Sequence, residues 1–69
     1  MPLSVAPINT IVKVVKILAD EKTKKHLESL GITIGSELTV LSSAGSIILK
    51  VKDGRLALDK NMATKILIA

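Results

Sequence analysis

The chain has 69 residues, room for a single domain spanning all of them, because each self-sufficient core needs roughly 50 residues or more. It contains no cysteine and no Phe, Tyr or Trp, which excludes disulfide and Cys-zinc frameworks, redox chemistry and aromatic stacking platforms and leaves aliphatic packing to make the core. Ten Lys and Arg against six Asp and Glu give a formal charge of +4, a mild attraction to acidic surfaces that names none in particular.

The N-terminal stretch Met1-Pro2-Leu3-Ser4-Val5-Ala6-Pro7 has no basic region followed by an apolar one. The longest apolar run falls far short of the roughly 20 residues a membrane span needs. A cytoplasmic protein without direct membrane insertion is therefore expected. Thr10–Leu18 is rich in β-branched residues and reads as a long strand, but its alternation slips at Val14-Val15, where two apolar residues adjoin. A bulge there would bend the strand, as a small closed sheet requires.

From Asp20 to Leu30 polar residues dominate, and Leu27 and Leu30 share one face of a short helix. Asp20 and Thr23 are both candidate N-caps. Gly31 suits the left-handed position after the helix, and a Schellman ending would bring Leu27 against Ile32. Thr33-Ile34-Gly35-Ser36 fits a type II turn with Gly35 at the position of positive φ. Glu37–Leu41 follows as a strand, and Ser42-Ser43-Ala44-Gly45 as a loop. Ile47–Lys52 and Arg55–Leu58 then face each other across Asp53-Gly54, a two-residue hairpin signal. Asp59–Ala63 has room for one helical turn, and Lys65–Ile68 closes the chain as a strand. The expected fold is mainly β: a small SH3-like barrel of about five strands, with one short α-helix inserted after the first long strand.

No phosphate-cradling glycine loop, dinucleotide fingerprint or nucleophile elbow is present, so the parts of nucleotide hydrolysis and acyl transfer are missing. His26 is the only imidazole, and Glu28, two residues on, points away from it on a helix. The remaining carboxylates are scattered over caps and turns without the paired spacing of acid/base or two-metal chemistry. No enzyme activity, cofactor or metal site is expected. Nucleic acid is disfavoured as a partner because single-strand-binding barrels rely on aromatic stacking. What remains is a cluster around the two glycines: Leu27, Leu30, Ile32 and Ile34 beside Lys24 and Lys25. These are many apolar residues for one helix and loop to bury alone: a core-only role is one reading, and any left exposed beside the lysines would instead form a docking patch.

Leu3-Ser4, the Val12–Ile17 strand, Leu27 followed by Leu30-Gly31-Ile32 and Gly35, and the closing Ala57-Leu58, Ala63 and Ile66 resemble, in order and spacing, the FeoA family of bacterial ferrous iron transport. Two positions depart from the family pattern: Ile34, where proline is frequent before the second glycine, and Ile8, where glycine is frequent. The resemblance implies an SH3-like barrel and an accessory role, binding the cytosolic part of a FeoB-like membrane iron transporter. The docking residues expected from the patch reading are those of the helix and its exit loop: Lys24, Lys25, Leu27, Leu30, Ile32 and Ile34. Two alternatives are a regulatory barrel related to those of metal-dependent repressors and a small basic nucleic-acid-binding barrel.

Overall fold

The computed structural model describes residues 1–52 and 54–69. A 3-10 turn over Leu3–Val5 precedes β1 (Ile11–Ile17), α1 (Glu21–Ser29), β2 (Glu37–Ser42), β3 (Ile47–Val51), β4 (Gly54–Leu58), the single-turn α2 (Lys60–Ala63) and β5 (Ile66–Ile68). The five strands pair antiparallel in the order β4-β3-β2-β1-β5, a mainly-β sheet with a helix inserted after the first strand, as the sequence predicts.

β1 organises the sheet by serving two partners. Ile11–Lys13 pairs with β2, Val14–Ile17 pairs with β5, and the register shifts between Val14 and Lys16. Val12 and Val14 are buried at alternate positions. One extra residue, Val15, is then pushed outward, and Ile17 returns to the interior. The adjoining valines of the sequence mark this bulge, which bends the strand into both halves of the sheet.

Every strand contributes to one core: Val12, Val14, Ile17, Leu38, Val40, Ile47, Leu49, Leu58, Ile66 and Ile68, joined by Leu27 of α1, Ile32, Leu3, Ala6 and Ala63. Among the described residues no polar or charged side chain is buried with them. Each Val, Leu or Ile so buried contributes about 1.5–3 kcal/mol against exposure. Leu3 belongs to this core through the 3-10 turn, an element the sequence reading did not anticipate. Three residues carry too little periodicity to announce a helix.

The ends of α1 are set by two local devices. Asp20 is the N-cap: its Oδ1 accepts the Thr23 amide at 2.8 Å. The Thr23 side chain and amide together hold the Asp20 carboxyl below its ordinary value. A lowered folded pKa means that the cap's contribution is present above the unfolded value and fades as the pH falls through the folded one. Asp20→Ala is accordingly expected to lower the melting temperature at pH 7. The difference from the parent should shrink once the pH drops below about 4, as thermal melts across pH will show. At the other end, Gly31 takes φ +90°, the Ile32 amide donates to the Leu27 carbonyl at 2.9 Å and the Gly31 amide to that of Glu28 at 3.0 Å. This is the Schellman pair of bonds, and it carries Leu27 and Ile32 into the same core. Gly31→Ala places a Cβ in the left-handed region and is expected to destabilise by about 1–2 kcal/mol, measurable by urea unfolding.

The hairpin differs from the sequence expectation by a two-residue slide. Val51 pairs with Gly54, Leu49 with Leu56 and Ile47 with Leu58, so Gly54 begins β4 instead of standing in the turn; Asp53 lies outside the described residues. Both registers keep the same side chains inside, so alternation cannot choose between them. The choice is made downstream. Asp59 caps α2 through the Asn61 amide, 2.8 Å away, which ends the strand at Leu58 and leaves that residue to face the fully buried Ile47.

Candidate docking site

The turn after α1 is tied on both sides. The Ser36 amide donates to the Thr33 carbonyl at 3.0 Å, closing the reversal, and Gly35 stands at φ +92° as a type II turn requires. Ser36 Oγ accepts the Thr33 amide at 3.0 Å and lies 2.9 Å from the Thr33 hydroxyl. The Gly35 amide donates to the Val14 carbonyl at 2.8 Å, and the Val14 amide to the Ser36 carbonyl at 2.9 Å, which fastens the turn to β1 beside its bulge. Ile34, at the corner, is 68% exposed. An apolar side chain is thus held in water on a backbone fixed by five hydrogen bonds.

Beside it runs a shallow groove of about 330 Å³ lined by Ile17, Lys24, Glu28, Ile32, Thr33 and Ile34. The Lys24 side chain is 43% exposed and reaches Glu21 at 3.9 Å, a long surface pair worth little. Its aliphatic stem can lie along the groove with the ammonium at the rim.

The sequence-predicted docking residues separate. Leu27 and Ile32 are fully buried, which corrects their assignment as contact residues: the Schellman ending that joins them turns both side chains inward, and only one edge of Ile32 forms groove wall. Leu30 is half-buried and lines a different groove, between the end of α1 and β4. Lys25 is exposed on α1 and lines neither. Lys24 and Ile34 remain together. Ile17 and Thr33 belong with them, and only the pairing of β1 with the turn could have placed them there.

His26 is exposed, and its carbonyl accepts the Ser29 hydroxyl at 2.6 Å. Among the described residues no three His, Cys, Asp or Glu side chains come together to hold a metal ion. Nor, among the described residues, is any helix long and apolar enough to cross a membrane.

A five-stranded antiparallel sheet bent by a bulged first strand, with one helix inserted and an exposed turn beside a groove, defines a small SH3-like barrel. The chain belongs to the FeoA family: the FeoA domain model matches residues 1–69. Among solved structures it is similar to an iron uptake regulatory protein, FeoA, with 34% identity over 99% of this chain and 92% of that one, at a TM-score of 0.91. The FeoA of Stenotrophomonas maltophilia, described as a procaryotic SH3 domain protein and solved with zinc, shares the fold at 24% identity and a TM-score of 0.81, over 100% of this chain and 89% of that one. A manganese-dependent transcriptional repressor matches at 26% identity and a TM-score of 0.84, over 96% of this chain but 39% of its own length. No curated protein sequence matches significantly.

Proposed function

We propose that this protein is a cytoplasmic accessory factor of ferrous iron uptake that docks on the cytosolic part of a FeoB-like transporter through the Ile34 turn and the adjoining Lys24 groove. The observation that carries the reading is the 68% exposure of Ile34 on a turn fastened to β1. A rigid apolar anchor loses little entropy on binding, and a charged rim supplies orientation. Family membership supports the pathway: for the S. maltophilia relative a role as a ferrous iron transport activating factor has been suggested. The same barrel occurs as a minor part of a longer metal-dependent regulator, which agrees with a module that acts by contact. The chain lacks the motifs of hydrolysis, so it modulates its partner and catalyses nothing itself. Titrating the folded protein into the transporter's cytosolic domain tests the proposal by calorimetry. Saturable binding in the micromolar range is expected; no heat up to several hundred micromolar would overturn it.

A further inference from the structure

The two edges of the sheet are treated differently. At the β5 edge the Ile68 amide donates to the Met1 carbonyl at 2.7 Å, and Pro2 bridges Leu67. The N-terminal segment, with a residue that has no amide hydrogen, seals that edge. At the other edge, among the described residues, no backbone hydrogen bond joins Gly54–Leu58 to anything but β3. Every second residue of β4 therefore presents unpaired amide and carbonyl groups outward.

Two features flank that open edge. On the outer face Lys50 and Arg55 are direct cross-strand partners, both exposed, an arrangement of like charges that destabilises a sheet. They line a basin of about 330 Å³ with Lys52, Leu41, Val51 and Gly54, and among the described residues none that lines it is acidic. On the inner face a groove of about 390 Å³ runs between β4 and the end of α1, with Leu30, Val51 and Leu56 as its apolar surface. Arg55 alone would be an ordinary guard against edge pairing. That role does not explain Lys50, which lies on an interior strand and gains nothing from facing a second cation.

The geometry points to β4 as an acceptor edge for an extended segment of a partner protein whose side chains alternate between acidic and apolar. Added as a sixth strand, such a segment makes main-chain bonds to β4. Its period of two sends carboxylates to Lys50 and Arg55 and aliphatic groups to the Leu30–Leu56 groove. Charge selects the occupant: a second copy of this +4 chain would bring its own Arg55 to the same edge. The β4 edge lies on the other side of α1 from the Ile34 turn, with Glu28 bordering both grooves, and the assignment does not depend on the transporter reading.

The test uses a short peptide alternating Glu and Val, the isolabelled protein and amide chemical shifts with hydrogen exchange. Binding is expected to perturb and protect the amides of Gly54–Leu58. N-methylation of the peptide's β4-facing amides should abolish it. Lys50→Glu and Arg55→Glu should each weaken it by at least about tenfold, while raising the melting temperature, because each replaces a like pair by an opposite one. A purely structural role for these cations predicts the thermal gain without the binding loss. No binding at millimolar peptide, binding indifferent to N-methylation, or shifts confined to other strands would overturn the assignment. So would retention of the parent protein by phosphatidylglycerol vesicles or duplex DNA that both charge variants lose, with no binding of the peptide.

Discussion

Leu27→Ala is expected to lower the free energy of unfolding by about 2–5 kcal/mol. Leu27 is fully buried in the one core to which every strand contributes, and a core built on a β ladder cannot freely collapse into the space left behind. A domain of 69 residues has only about 3–10 kcal/mol in total, so the variant stands at the margin of folding. Urea unfolding should show a midpoint far below the parent's with an unchanged slope. Ile34→Ala, seven residues further along the chain but solvent-exposed, should change the free energy of unfolding by less than about 0.5 kcal/mol. Similar losses at the two positions would mean that the division between core and surface around Gly31 is misplaced.

The second large effect falls on binding and leaves the fold alone. Ile34→Asp puts a charge where the proposed interface has its apolar anchor. Such anchors cost about 2 kcal/mol or more when lost, which is roughly thirtyfold in affinity. The urea midpoint should stay within experimental error of the parent, since the side chain touches little and the turn is held by backbone bonds and Ser36. Leu30→Asp provides the contrast, because Leu30 lines the groove toward β4 and not the one beside Ile34. Affinity for the transporter's cytosolic domain should fall for Ile34→Asp and hold for Leu30→Asp. The reverse order would move the docking face to the other side of α1.

Much of the fold was legible because local chemistry and tertiary packing agree. The adjoining valines at Val14-Val15 announce the bulge. Asp20 and Gly31 bound the helix, and the resemblance of the Leu30–Gly35 segment to the FeoA pattern leads to the family that the whole-chain match establishes. What was not legible depends on contacts between distant segments. The hairpin register is set by the cap of α2, and the 3-10 turn by packing of Leu3 against the rest of the core. The site divided along the same line. Leu27, Leu30, Ile32 and Ile34 stand close together in sequence, but a helix ending in a Schellman turn sends alternate members to opposite sides: two to the core, one to each groove. Sequence spacing carries no information on which of the exposed two lies beside Lys24. The pairing of Gly35 with Val14 decides that.

The central claim is that the Ile34 turn and its groove form the docking face for the cytosolic part of a FeoB-like transporter. Its most direct measurement is an amide shift titration of the labelled protein with that cytosolic domain. The account predicts perturbations concentrated at Ile32–Ser36, Lys24 and Glu28, with the amides of α2 and β5 unmoved. Perturbations confined to α2 and β5, or none at saturating domain, would contradict it.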